Sequence, residues 1–221
     1  MTDTGAEPRR HLITLAVENY KADGLHVEGV AAARDQVVNA LALFGYTHEL
    51  ELGSPTTREN VFDRLDAWLK SPHAASDLLI FYVIGHGGSD PDGKYHLWMQ
   101  DHEFGERSAF NTTLTADDLI GALVRAHSQE AVSSPAPAVM LVVDSCYSGS
   151  AASGAAKALD DASQHHVKIG YLYAVASTSR FTKISAGRFS TALESALGAV
   201  VAEPARWGNL SPTIAVESIL H

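Results

Sequence analysis

The sequence all but avoids cysteine, with a single one, Cys146, among 221 residues. A lone cysteine closes no internal disulfide, so stability has to come from packing. Positive charge is also scarce: 16 Lys and Arg against 26 Asp and Glu give a formal charge of −10, with no cluster of basic residues. That balance argues against a nucleic-acid partner, whose phosphates need a basic face. No apolar run approaches the length of a membrane span, and the opening "MTDTGAEPRR" lacks the apolar core of a secretion signal. The expectation is a chain with no membrane segment, placed in the cytoplasm.

What is present suits a compact α/β domain: 46% of the residues are hydrophobic. Four short, nearly unbroken apolar runs, 11–17, 77–85, 138–144 and 169–177, are strands covered on both faces. "THELEL" at 47–52 alternates, which fits a sheet edge. Apolar residues from Val27 to Phe44 recur at spacings of three and four and stop at Gly45, predicting the first helix. Thr56 with Glu59, and Thr115 with Asp118, have capping-box spacing ahead of the second and third. Phe189, Leu193, Leu197, Val200 and Val201 mark a fourth, and Ser211 with Pro212 opens a fifth that has barely begun at His221. The alternation predicts a mainly parallel central sheet with helices on both faces, in one domain over 1–221. The unfinished last helix leads to the expectation that the chain was cut from a longer polypeptide at its C-terminus. Segments 87–114, 128–138 and 149–168 are expected to be long loops.

Two strands end in reactive groups. "LLIFYVIGHGG" delivers His86, and "AVMLVVDSCYSGS" delivers Cys146 just past the apolar run, where a merely structural thiol would have sat inside it. In open parallel sheets ligands bind beyond the carboxyl ends of the strands, so neighbouring strands would put both side chains on one rim. Imidazole beside thiol makes a nucleophile. Gly87, Gly88 and Gly149 would let backbone approach a substrate. No arginine follows Cys146 at the spacing of a phosphatase loop. His165 and His166 are a pair in a polar segment, read as solvated, and no metal site is assigned. Trp68 reads as core; for Trp98 and Trp207 the sequence does not choose between cleft and packing.

"GHG" closing one strand and "DSCYSG" closing the next resemble the caspase-like cysteine peptidases, especially metacaspases and bacterial caspase homologues. Cys146 follows His86 by 60 residues, against about 50 in caspases. "LAVENY", "VEGVAAARDQVVNALALFGY", "YHLWMQD" and "GRFSTALESAL" resemble other segments of the family, so the likeness covers nearly the whole chain. It implies a caspase-like sandwich and a Cys–His dyad: Cys146 as nucleophile, His86 as general base and acid, and the N–H groups of Gly87 and Cys146 as oxyanion hole. The reaction implied is hydrolysis of a protein or peptide through a thioester.

Asp144 stands where metacaspases carry an aspartate in the pocket for the residue before the cut, which favours Arg or Lys. Their further aspartate is replaced by Ala33, and their serine two before the histidine by Ile84; Asp35 is the candidate substitute. Some relatives need calcium, for which Asp90, Asp92, Asp101, Asp160 and Asp161 are available, although no segment has calcium-loop spacing. Lys157 resembles a self-cleavage position. In bacteria the family often carries additional sensor or regulatory domains. The alternatives are a caspase-like protease dedicated to one protein partner and an inactive interaction module.

Overall fold

The computed structural model describes residues 8–53, 55–71, 73, 74, 77–102, 111–128, 138–164, 172–177 and 187–203. In chain order its elements are β1 (Arg10–Ala16), α1 (Val30–Ala42), β2 (Thr47–Glu51), α2 (Arg58–Leu69), β3 (Leu78–Ile84), β4 (Gly87–Ser89), β5 (Tyr95–Trp98), β6 (Thr113–Leu114), α3 (Ala116–Ser128), β7 (Ala138–Asp144), α4 (Ser148–Gln164), β8 (Leu172–Ala176) and α5 (Arg188–Ala202). Five strands form one sheet in the order β2-β1-β3-β7-β8. Every neighbouring pair in it is parallel.

Burial on both faces explains the apolar runs of β1, β3 and β7, but β8, expected to be covered likewise, is an edge strand whose Tyr173 is 43% exposed. Leu79, Phe81 and Val83 of β3 pack in one core cluster with Val61 and Leu65 of α2, Leu119 and Ile120 of α3, and Ala151 and Ala155 of α4. The alternate residues Ile80, Tyr82 and Ile84 pack in a second cluster with Val30, Ala33, Val37 and Leu41 of α1 and Leu193 and Leu197 of α5. Two helices therefore cover one face and three the other. As expected, β2 is an edge strand, and it is exposed.

Helix ends follow local chemistry. Gly45, with φ +78°, ends the turn after α1, a conformation that costs glycine little. Thr115 and Asp118 exchange side-chain hydrogen bonds with each other's backbone N–H at 3.1 and 2.9 Å, the capping box read from their spacing. At α2 the cap is Thr57 rather than Thr56, its hydroxyl accepting the Asn60 N–H.

Two expected loops prove to be structured. Residues 148–164 form α4: glycines and serines disguise it, but Ala151 and Ala155, four apart, are fully buried against the sheet. At Gly154 helix α4 packs against the start of α3, where a Cβ would make an ordinary contact with the Ala116 Cβ at 3.4 Å. Lys157 is thus exposed in mid-helix. Peptide clefts take extended segments, so cleavage there would first have to unwind α4. Within 87–114, β4, β5 and β6 make a small antiparallel sheet. It sends Tyr95, Leu97 and Leu114 into the core. His165, His166, Trp207, the helix proposed from Ser211 and most of 128–138 lie outside the described residues. Among the described residues no helix is long and apolar enough to cross a membrane.

Candidate active site

Parallel pairing of β3 and β7 runs in register from Leu78 opposite Ala138 to Ile84 opposite Asp144. Both strands end at that pair, and His86 and Cys146 each follow two residues later, in the turns at the carboxyl rim of the sheet. The loops that carry them touch. A Cβ added at Gly87 would lie 2.6 Å from the Cys146 carbonyl oxygen, 2.7 Å from Ser145 Oγ and 2.8 Å from Tyr95 Cε2. Only glycine allows that approach.

His86 is held by backbone and rings. Its N–H donates to the Tyr20 hydroxyl at 2.8 Å, and that hydroxyl donates to the Val17 carbonyl at 3.1 Å. Its Nε2 lies 3.0 Å from the Leu25 carbonyl oxygen. A carbonyl only accepts, so Nε2 carries the proton and Nδ1 offers the lone pair. The imidazole sits between the rings of Tyr20 and Trp98, at 5.2 and 5.4 Å, and Trp98 stacks on His102 at 4.8 Å. Trp98 therefore belongs to the site. Burial pushes the His86 pKa below its ordinary value, with the Leu25 carbonyl opposing it. At neutral pH the ring is a base.

Cys146 is partly buried at the corner between β7 and α4. Tyr147 makes the corner with φ +60°, the only non-glycine residue among those described with positive φ. Such a conformation at a bulky residue is costly and marks a turn imposed by its surroundings. Negative charge at Cys146 would face the positive end of the α4 dipole. Ser145 braces the turn, its Oγ 2.5 Å from the buried Tyr95 hydroxyl. At the start of the β4–β5 ladder, the His86 carbonyl accepts the Trp98 N–H at 3.0 Å. That makes Gly87 and Leu97 a non-hydrogen-bonded antiparallel pair, so the Gly87 N–H points away from β5.

Residues 9–207 match the sequence model of the caspase domain. The chain belongs to the caspase-domain family of cysteine peptidases. A solved Geobacter sulfurreducens protein is 15% identical, with a TM-score of 0.57 over 87% of this chain and 83% of that one, a likeness of fold. Caspase-1 from Spodoptera frugiperda is 15% identical at a TM-score of 0.48, over 66% of this chain and 50% of its own. The Drosophila initiator caspase Dronc is 13% identical at 0.47, over 62% and 48%. This caspase domain thus spans about half the length of the insect caspases it matches. No curated protein matches it in sequence.

Asp144 ends β7 beneath the rim and is 3% exposed. Its Oδ2 accepts the Tyr82 hydroxyl at 2.9 Å. Its Oδ1 and the Ser177 hydroxyl are buried, and neither has a well-formed hydrogen bond among the described residues. Burial pushes the carboxyl up, while Ser177 and Tyr82 favour the charged form. Asp35 is not part of this group. Its side chain is 61% exposed and pairs with Arg34 at 2.8 Å on the outer face of α1. Ala33, by contrast, is buried in the same cluster as Tyr82.

The caspase domain thus brings His86, Gly87, Cys146 and Asp144 to one rim and leaves Asp35 outside. Sequence reasoning missed Leu25 and Tyr20: one acts through a backbone carbonyl, which any residue has, and the other lies 66 residues before its partner. Among the described residues Asp90, Asp92, Asp101, Asp160 and Asp161 form no calcium-type cluster, and the one metal-capable group is His11, His73 and Asp77.

Proposed function

We propose that this caspase domain is an endopeptidase that cuts proteins and peptides through Cys146 and His86. The observation that carries the reading is the β3–β7 register, which ends level at the Ile84–Asp144 pair, two residues before both His86 and Cys146. His86 Nδ1 takes the thiol proton, and the sulfur attacks the carbonyl carbon of the scissile peptide bond. The N–H groups of Gly87 and Cys146 hold the oxyanion. Collapse expels the amine, which receives the proton from His86, and leaves a thioester. Water, deprotonated by the same imidazole, hydrolyses it and restores the thiol. Throughout, the Leu25 carbonyl holds the Nε2–H and steadies the imidazolium.

This scheme fixes the sign of the acid limb. Protonated His86 cannot accept the thiol proton, and burial lowers its pKa. Activity should therefore be lost only as pH falls through a midpoint below about 6.5, the ordinary histidine value. A kcat/KM profile on a reporter peptide measures it; a limb centred above that value would contradict the assignment.

Asp144 is read as the group that selects the residue before the cut. A buried carboxylate with an unpartnered oxygen favours a cationic side chain, so cleavage after Arg or Lys is expected. Asp144→Asn should lower kcat/KM on arginyl and lysyl peptides by about 100-fold, roughly the worth of one buried charge-assisted contact. Cleavage of aspartyl peptides by the parent, with arginyl peptides left intact, would exclude this specificity.

A further inference from the structure

At the amino ends of β1 and β3, opposite the rim that carries His86 and Cys146, lies a second group of reactive side chains. Asp77 precedes His86 by nine residues, roughly 30 Å of extended strand. His11 near the start of β1 and Asp77 just before β3 are 3% and 1% exposed. His73 lies in the connection from α2. One ligand atom from each of the three lies within 4.8 Å of the other two.

The hydrogen bonds select the free nitrogens. Glu49, on the neighbouring β2, takes the His11 Nδ1–H at 2.6 Å, so Nε2 faces Asp77 Oδ2 across 3.4 Å. His73 Nε2 donates to the Trp68 carbonyl at 3.0 Å. Its Nδ1 is left as a buried lone pair with no hydrogen-bond partner among the described residues. A separation of 3.4 Å is long for a hydrogen bond. Two ligands at zinc bond lengths in tetrahedral geometry, however, stand about 3.3 Å apart. A carboxylate on the far nitrogen, as Glu49 is on His11, is how ligating imidazoles are oriented. Asp77 Oδ2 also accepts the Ala74 N–H at 2.8 Å, which fixes the carboxylate in the group.

We propose that His11, His73 and Asp77 form a zinc-binding site remote from the peptidase rim. Two imidazoles and a carboxylate are a zinc donor set, with a fourth position left for water, and the nitrogen donors disfavour calcium and magnesium. Trp68 covers it, its ring 4.1 Å from His73 and 5.5 Å from His11, its Nε1 donating to Glu49 at 3.0 Å. Arg9 is the competitor: its half-exposed guanidinium lies 2.7 Å from Asp77 Oδ2. Bound zinc would tie β1 and β3 to the chain leaving α2, so it should act on stability.

The test uses the whole chain carrying Cys146→Ala, which removes the thiol as a rival ligand. Zinc alone is expected to bind one to one in competition with a chromophoric chelator and to raise the thermal midpoint. Cobalt in its place should show the visible absorption of a four-coordinate nitrogen and oxygen site. His73→Ala, in a part-exposed loop, should cost at least about 100-fold in zinc affinity and Glu49→Gln about 10-fold, while Arg9→Ala should tighten binding. Absence of zinc binding in the Cys146→Ala chain, or undiminished binding after His73→Ala, overturns the proposal and leaves His11 as a proton-bridged strut between Glu49 and Asp77.

Discussion

Cys146→Ala is expected to lower kcat/KM on an arginyl reporter peptide by at least about 10⁴-fold, because the covalent route disappears with the sulfur and no neighbouring group replaces it. The fold should survive. Cys146 is only partly buried, and loss of one sulfur from a loop corner should cost no more than about 1 kcal/mol. Thermal unfolding followed beside the activity assay separates the two effects. His86→Ala should cost a similar amount, and the double variant little more than either alone, since nucleophile and base act as a unit. Residual activity above about 1% of the parent in folded Cys146→Ala would remove the thiol from the mechanism.

The second large effect is expected at Gly87→Ala. Its new methyl would lie 2.6 Å from the Cys146 carbonyl oxygen, which is backbone and cannot rotate away, and 2.7 Å from Ser145 Oγ. The two loops would have to part, moving both the proposed oxyanion N–H groups and the Ser145–Tyr95 brace. A loss in kcat of at least about 100-fold, with about 1–3 kcal/mol of destabilisation, is the expected result. Gly88→Ala is the control one residue on. There the closest atom is Trp98 Nε1 at 3.3 Å, a contact that needs a shift of only a few tenths of an ångström, and an effect below about 10-fold is expected. Parental kcat and thermal midpoint in Gly87→Ala would show that the close approach has no bearing on the chemistry.

Those two experiments touch residues that were legible before any coordinates, and the reason is physical. Strands buried on both faces must be nearly all apolar, so a histidine or cysteine just past such a run stands out at the place where open sheets bind ligands. The capping residues of α3 were equally plain. Helix α4 was not, because Gly149, Gly154 and its serines argue locally against a helix that burial of Ala151 and Ala155 supports. Asp35 could have been rejected from spacing alone. The stripe Val30, Ala33, Val37 and Leu41 faces the core, and a residue two beyond Ala33 lies on the other side of the helix.

By itself, then, the sequence determined the layered α/β architecture and the two reactive strand ends, because hydrophobic periodicity and strand termini are local properties. Tertiary structure alone decided which of those groups meet. The pairing of β3 with β7, the Leu25 carbonyl that sets the His86 tautomer, the Tyr82 hydroxyl on Asp144, and the gathering of His11 with His73 and Asp77 all join residues about 60 apart in the chain. Such contacts leave no period or motif behind them, since it is sheet register and the packing of side chains that bring them within reach.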